Sequence, residues 1–404
     1  MVRCSRLLDG PAPVLVVVVA AAVAGAVRGG LTDLIVYLYG GRAVLDGLPV
    51  YASRDPVTGL HFTYPPFAAL VMVPPSLVPA WLAGALWTGA SVGALAAVVV
   101  VVRRSLGRPT PGWLVALLTV GALALEPVWQ NLTFGQVNLF LMLAVLVDLL
   151  RPERRWSGVL VGLAAGVKLT PLVFVVLLVL VGRRAAAGRA ALAFAGTVAA
   201  GFAVAPASAA TYWTRGLADA GRVGPPALAH NQSVYGAFTR LLDGPPPTLL
   251  WLTAAGLLSL AVVVVGAAWW RRGDRVLGTC LGAMAMLIAS PVSWSHHWVW
   301  AVPVALVLWE RSRWAGAAWT AVFVARPFVW LPYGHGREYR WSPLDHVTGN
   351  AYLLAALALS AWAAVALQHR DVASPGAPTR RGPRHGRPGL TTTGHSQPAE
   401  PGAS

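Results

Sequence analysis

The sequence predicts an all-α, polytopic membrane protein, and three observations lead to this fold class. Of the 404 residues, 56% are hydrophobic and only 11% are charged. Long apolar runs recur from one end of the chain to the other, which is typical of a membrane domain. The 18 tryptophans suit wide interfacial belts, where an indole lies half in lipid and half in water. We therefore expect one membrane domain over residues 1–370.

The basic composition fits a membrane protein better than a nucleic-acid-binding protein. A net charge of +16 would suggest nucleic acid as the partner of a soluble protein. Here the arginines cluster in short loops between apolar runs, as they do in the cytoplasmic loops of membrane proteins. We therefore expect membrane lipid as a partner and no nucleic acid. Cys4 and Cys280 have no metal-ligand spacing and no plausible pairing, so neither is expected to carry function.

The N-terminal region predicts one helix followed by a long outer loop. Residues 13–28 are expected to leave the cytoplasm, as an uncleaved first span or as a cleaved signal peptide. The extracytoplasmic loop that follows covers 29–80. Two short segments within it, 33–46 and 66–78, are predicted to be interfacial helices.

The later helices alternate in direction, and the short inner loops carry the arginines. The predicted helices are 81–102, 112–125, 139–150, the two runs that flank Lys168, 190–206, 248–270, 276–290, 298–310, 314–331 and 347–368. The total is about 12 transmembrane or half-spanning helices, because several are shorter than a full span and must tilt or lie buried in protein. Both termini are then cytoplasmic, and residues 371–404 are expected to form a disordered basic tail.

With this topology, the polar motifs all fall on the extracytoplasmic face of the plasma membrane. They are Asp33, "FTYPP" (62–66), "QNLTFGQVN" (130–138), Lys168, "HNQSVYGAFTR" (230–240), "SWSHH" (293–297) and "YGHGREYR" (333–340). These segments lie far apart in the sequence but face one side of one domain. We expect them to line a common cavity.

Lys168 is the only lysine in the chain, and it lies between two apolar runs. A lysine at membrane depth costs on the order of 2.5–3.5 kcal/mol, so it normally has a partner or faces water. An anion such as a lipid phosphate would offset this cost; a snorkelling side chain or a buried pair with a carboxylate is the alternative. Arg240, His296 and His297 are further candidates for binding the phosphate. Two adjacent histidines without a third ligand do not predict a metal site, and no cofactor is expected.

Asp33 is the carboxylate of greatest interest, because it lies close to the membrane surface just after the first helix. It is expected to act as a general base toward a substrate hydroxyl or to cap the helix that follows. Carboxamides pair well with sugar hydroxyls, since each supplies a donor and an acceptor, although they also serve as caps and loop staples. The candidates for sugar or acceptor binding are Gln136, Asn138, Asn231 and Gln232, with Tyr64 either as an aromatic platform for a sugar ring or as a tyrosine of the membrane interface.

Seven segments between Asp33 and Trp300 together resemble glycosyltransferase family 87. They read "TDLIVY", "LDGLPVY", "FTYPPFAAL", "FGQVNLFLMLAVLVDLL", "GLAAGVKLTPLVFVVLLVLVGRR", "NQSVYGAFTR" and "SPVSWSHHWVW". The resemblance implies a GT-C fold with an extracytoplasmic active site and an acidic base in the first outer loop, where Asp33 lies. It also implies polyprenyl-phosphate-mannose as the donor and a lipid-linked or lipoglycan acceptor of the cell envelope.

The function expected from these features is inverting transfer of mannose in one displacement. Asp33 would take the proton of the acceptor hydroxyl, and Lys168, a histidine of the 296–297 pair and Arg240 would stabilise the leaving phosphate. Two alternatives come from other classes of protein: a transporter built on broken helices, and a flippase or passive partner of a glycan pathway. Polar motifs on one face and the lack of an internal repeat favour the enzyme.

Overall fold

A computed structural model describes residues 30–216 and 220–372, together with residues 20, 24 and 25. This part of the chain is helical and contains no strand, only the isolated bridges Arg54–His61 and Asn231–Trp294. The all-α prediction is therefore confirmed for the described residues. Most of the predicted helix over 13–28 lies outside them, as does the predicted tail beyond residue 372.

The described helices before residue 217 include the one that carries Asp33 and the one that ends just before Lys168. They are α1 (Thr32–Leu45), α2 (Pro66–Val71), α3 (Val73–Ser76), α4 (Ala80–Ser105), α5 (Gly112–Ala122), α6 (Glu126–Phe134), α7 (Asn138–Leu150), α8 (Val159–Val167), α9 (Val173–Leu180), α10 (Arg184–Val204) and α11 (Pro206–Thr214). A 3₁₀ turn at Thr170–Leu172 joins α8 to α9. The sequence did not predict α6 and α11.

The described second half of the chain contains further helices and several 3₁₀ turns. The helices are α12 (Val234–Leu241), α13 (Thr248–Arg271), α14 (Arg275–Ala289), α15 (Ala301–Arg311), α16 (Arg313–Ala325), α17 (Pro343–Gly349) and α18 (Ala351–Val372). The 3₁₀ turns are Ala220–Val223, Ser295–Trp300, Pro327–Trp330 and Arg337–Arg340. The sequence predicted neither α12 nor α17, which are short helices in the loops between spans.

Four of the described helices are long and apolar enough to cross a membrane: α4, α10, α13 and α18. A fifth span results if α5 and α6 count as one helix bent by 83°. Shorter apolar helices, among them α7 and α14, pack between the long ones. The structure therefore agrees with a helical membrane protein, while the count of about 12 spanning or half-spanning helices stays a prediction.

One end of the bundle gathers the arginine-rich loops. Glu310, at the end of α15, accepts from Arg103 at 3.5 Å and from Arg108 at 2.8 Å. Arg275, at the start of α14, donates to the Leu149 carbonyl at the end of α7 at 2.6 Å. Arg183–Glu153 and Arg311–Asp274 are further ion pairs of this end. The loops that the sequence placed in the cytoplasm thus lie together.

Helix α8 approaches α10 unusually closely because glycines line its contact face. Gly158, Gly162 and Gly166 recur every fourth residue, a spacing that puts them on one side of the helix. A Cβ at Gly162 would overlap the carbonyl oxygen of Ala190, one at Gly158 that of Ala186, and one at Gly166 the side chain of Thr197. Small residues let helix backbones approach in this manner within membranes. Helix α8 ends immediately before Lys168.

Candidate active site

A cavity of about 760 Å³ opens at the end of the bundle opposite the arginine-rich loops. The residues that line the cavity come from segments that lie far apart in the sequence, as expected from the distribution of polar motifs. Six of the predicted site residues line it: Asp33, Tyr64, Gln136, Lys168, His296 and His297. The chemistry of this cavity depends on the hydrogen bonds and charges that link these side chains.

Asp33 lies in the first turn of α1, with its side chain directed into the cavity rather than onto the helix end. The N-cap residue that precedes the helix is Leu31, in a left-handed conformation, and no side chain caps this end. Burial raises the pKa of Asp33 to about 6, although a hydrogen bond from Gln136 and the charge of Lys168 oppose the rise. A carboxylate with a pKa near neutrality is well suited to accept a proton.

Gln136 is the buried residue that orients Asp33. Gly135 ends α6 with a positive φ of 68°, and the turn brings Gln136 against α1. The Gln136 Oε1 atom accepts from the hydroxyl of Tyr37 at 2.9 Å and from that of Tyr64 at 3.2 Å. Because two phenols occupy the amide oxygen, the amide nitrogen is left to donate to Asp33.

Lys168 is held by neutral groups rather than by a carboxylate in direct contact. Its Nζ atom donates to Asn138 Oδ1 at 2.9 Å and to His297 Nε2 at 2.9 Å. The ammonium also lies 5.5 Å from the ring centroid of Tyr64. An ammonium has three N–H groups, so one remains for a ligand in the cavity. Burial lowers the pKa of Lys168 to about 7, and the negative charge of Asp33, acting through space, opposes this fall.

The two histidines have different environments within the Ser295–Trp300 turn. His297 accepts from Lys168 at Nε2, so its proton resides on Nδ1 and the ring is neutral. Burial and the charge of Lys168 both lower the pKa of His297, which also favours the neutral ring. His296 is 6% exposed and packs edge-on against Phe134, and its Nε2 has no hydrogen-bond partner. The geometry thus makes His297 a positioning group for Lys168.

Four further predicted residues lie outside the cavity lining, and three of them, Arg240, Asn231 and Gln232, hold the protein's own backbone. Arg240 is completely buried, where it donates to three backbone carbonyls and to Asn350 Oδ1, with its guanidinium facing Trp341. Asn231 donates to two backbone carbonyls, and Gln232 binds the chain at the start of α18. These contacts hold the loop before α12 in place, and none of the three side chains lines the cavity.

Asn138 forms the second layer of the site. It is buried behind Lys168, from which it accepts a hydrogen bond, and its Nδ2 atom donates to the His296 carbonyl at 3.1 Å.

Tyr37 is a site residue that sequence reasoning missed. It lies one turn after Asp33 on the same face of α1, and this i,i+4 spacing is the signal that could have found it.

The cavity also has residues that were not among the predicted site residues, notably Arg222, His230 and Trp294. His230 begins the "HNQSVYGAFTR" segment, whereas Arg222 lies in a loop without a recognisable pattern. Among the described residues, no group of three or more His, Cys, Asp or Glu side chains is arranged to hold a metal ion.

A carboxylate that can take a proton from a hydroxyl, with a cation close by that can hold a phosphate, is what a membrane glycosyltransferase needs in its cavity. Comparison with known proteins agrees with this class. Glycosyltransferase family 87 matches residues 62–291, more than half of the chain. The chain belongs to this family and is a hexosyltransferase, which confirms the resemblance seen in the sequence and favours the enzyme over a transporter.

Curated relatives cover most of the chain. A Mycobacterium tuberculosis (strain CDC 1551 / Oshkosh) protein, the polyprenol-phosphate-mannose-dependent alpha-(1-2)-phosphatidylinositol pentamannoside mannosyltransferase, is 37% identical over 343 residues. That match covers 78% of this chain and 76% of the relative. A Mycolicibacterium smegmatis (strain ATCC 700084 / mc(2)155) polyprenol-phosphate-mannose-dependent alpha-(1-2)-phosphatidylinositol mannoside mannosyltransferase is 35% identical over 365 residues, 81% of this chain and 82% of the relative. No solved structure matches the chain.

Proposed function

We propose that this enzyme transfers mannose from polyprenyl-phosphate-mannose to a hydroxyl of a glycolipid or lipoglycan acceptor, with inversion at the anomeric carbon. The observation that carries the proposal is the presence of Asp33 and Lys168 in one cavity, where Gln136 binds the first and Asn138 the second. The names of the curated relatives support the choice of donor and of a phosphatidylinositol mannoside as acceptor.

In the proposed step, Asp33 removes the proton of the acceptor hydroxyl while that oxygen attacks the anomeric carbon of the mannose. The bond between the anomeric carbon and the phosphate oxygen breaks, and its electron pair leaves with the polyprenyl phosphate. The proton ends on the Asp33 carboxylate, and one new glycosidic bond replaces one sugar–phosphate bond. Gln136 holds the carboxylate toward the cavity, so that little reorganisation is needed during the reaction.

Lys168 stabilises the negative charge that grows on the leaving phosphate oxygen. Asn138 and His297 occupy two of its N–H groups and aim the third into the cavity. A fixed charge in a site that excludes water stabilises such a transition state more strongly than a mobile side chain does. Tyr64, whose ring lies beside the ammonium, is placed to contact the donor sugar.

The proposal extends to membrane orientation. The arginine-rich end of the bundle faces the cytoplasm by the positive-inside rule, so the cavity opens on the extracytoplasmic side of a multi-pass plasma-membrane protein. Both termini are then cytoplasmic. Residues 1–370 would form the membrane domain with about 12 spanning or half-spanning helices, and residues 371–404 a basic cytoplasmic tail.

The test measures mannose transfer from radiolabelled polyprenyl-phosphate-mannose to a phosphatidylinositol mannoside by purified enzyme in lipid nanodiscs. The wild type is expected to transfer mannose, and Asp33→Asn is expected to lose the activity. Asp46→Asn is the matched control, because Asp46 lies at the other end of α1, exposed and paired only with Arg42. Full activity of Asp33→Asn would show that another residue is the base. The absence of mannose transfer by folded wild type would refute the proposed function.

A further inference from the structure

The cavity extends beyond the donor residues to a second wall, which Arg222, His230 and Trp294 form. We propose that this second wall binds the acceptor and selects a glycolipid that carries both a sugar ring and a phosphate group. The inference rests on the proposed function for the direction of transfer. It assigns residues and a ligand chemistry to a part of the cavity that the mechanism above leaves unused.

His230 has no hydrogen-bond partner in the part of the chain that the structure describes. Its ring packs edge-on between Phe328 and Tyr333, each at 5.1 Å between centroids, and its Nδ1 atom is buried without a hydrogen bond. Its neighbours in sequence, Asn231 and Gln232, bind backbone groups instead. Leaving a buried polar atom unpaired costs about 1–3 kcal/mol, so a ring that lines a cavity in this state is suited to a ligand.

His296 is the second unpaired imidazole of the same cavity. It is 6% exposed, its Nε2 is buried without a partner, and burial, the charge of Lys168 and His230 all disfavour a charge on its ring. Two neutral imidazoles that face one cavity can each donate or accept one hydrogen bond. Neighbouring sugar hydroxyls, which do both, match that pair better than a phosphate, which only accepts.

Trp294 gives the second wall a flat aromatic surface. The backbone bridge to Asn231 anchors its main chain, and Gly224 approaches so closely that a Cβ there would lie 3.0 Å from the indole. The ring is therefore fixed in orientation while it lines the cavity. A rigid aromatic face of this kind packs against the C–H face of a hexose and leaves the hydroxyls to the histidines.

Arg222 supplies a positive charge that the donor does not require. Its guanidinium lies 5.7 Å from the ring centroid of Tyr51, and no carboxylate pairs with it among the described residues. Lys168 already serves the donor phosphate in the proposed step, so a second cation in the same cavity calls for a second anion. A planar guanidinium suits a phosphate because it can donate two parallel hydrogen bonds.

The experiment measures ligand binding to the purified protein in nanodiscs without donor, so that it does not depend on catalysis. The probes are a phosphatidylinositol mannoside and octyl α-mannoside, which carries the sugar without the phosphate. Arg222→Gln is expected to weaken binding of the phosphatidylinositol mannoside at least about tenfold, which corresponds to about 1.4 kcal/mol, and to leave octyl α-mannoside binding unchanged. His230→Ala is expected to weaken binding of both probes.

Arg42→Gln is the matched control, because Arg42 is an exposed arginine outside the cavity whose partner is Asp46. The ratio of the two affinities within one preparation is independent of the fraction of folded protein, so a partly unfolded variant still gives an answer. An unchanged ratio in Arg222→Gln would overturn the phosphate assignment, and unchanged sugar binding in His230→Ala would overturn the sugar assignment. Failure of the proposed function is distinguishable, because wild type would then bind the acceptor without transferring mannose to it.

Discussion

Replacing Lys168 by methionine removes the ammonium while it keeps an unbranched side chain of similar length. In the structure the Nζ atom donates two N–H groups to Asn138 and His297 and directs the third into the cavity. The substitution therefore deletes the only hydrogen bond that this side chain has left for the donor. Asn138 and His297 are neutral, so without the ammonium their polar atoms can rearrange toward each other or bind water.

The expected effect on catalysis follows from the loss of one fixed donor to a charge that grows in the transition state. Removing such a donor lowers kcat by about 10²- to 10³-fold, or about 2.7–4 kcal/mol. The donor KM should change less than kcat, because the phosphate of the bound donor carries less charge on the bridging oxygen than the transition state does. Thermal stability should not fall, because burying an ammonium without a paired carboxylate is itself costly.

The assay is steady-state mannose transfer at saturating acceptor, with kcat and donor KM determined for wild type, Lys168→Met and Lys168→Arg. Arginine keeps the charge but presents a larger planar group, so we expect it to restore only part of the rate. Arg42→Gln serves again as the exposed control and should match wild type. A kcat for Lys168→Met within about tenfold of wild type, or a large drop in unfolding temperature, would refute the catalytic assignment in favour of a structural one.

Three other outcomes are expected. Because the pKa of Asp33 is about 6, kcat/KM should fall as the pH is lowered through about pH 6, where protonation removes the base. The donor phosphodiester does not titrate in this range. A value of kcat/KM that stays constant down to about pH 5 would speak against Asp33 as the base. Arg240→Met should destabilise the protein by about 3 kcal/mol, because Asn350 and the backbone carbonyls lose their buried donor; an unchanged apparent unfolding temperature at fixed scan rate would contradict this. Gly162→Ala should lower the free energy of unfolding by about 1–3 kcal/mol and should lower kcat, because the new Cβ forces α8 away from α10. Gly196→Ala, whose Cβ would meet open space, should change neither quantity. Equal effects in both variants would rule out the packing explanation.

The sequence predicted the long helices well because hydropathy alone determines them. The predicted 81–102 and 248–270 became helices Ala80–Ser105 and Thr248–Arg271. The grouping of the polar motifs at one end of the bundle followed from arginine placement, which depends on the membrane rather than on side-chain packing. The short helices Glu126–Phe134 and Val234–Leu241 were missed because they contain polar residues and lie in the loops between apolar runs.

The site was predictable only in part, for reasons that concern individual side chains. Asp33, Lys168 and His297 lie in one cavity, as the motifs indicated. Arg240 could not be distinguished from a phosphate-binding arginine, because its actual partners are backbone carbonyls that only the folded loop brings together. The hydrogen bonds that orient Gln136 come from tyrosines on other segments, and no local pattern encodes such contacts.

The glycine contact between α8 and α10 has a consequence for the alignment of the catalytic groups. Sliding one helix past the other by a single turn would move Lys168 by about 5.4 Å, well beyond its 2.9 Å contact with His297. Glycines seated against the neighbouring backbone permit one longitudinal register and oppose the adjacent ones. Atoms that never contact a substrate thus determine the position of the ammonium. A substitution in the contact between α8 and α10 would lower the reaction rate by displacing this charge, without removing it.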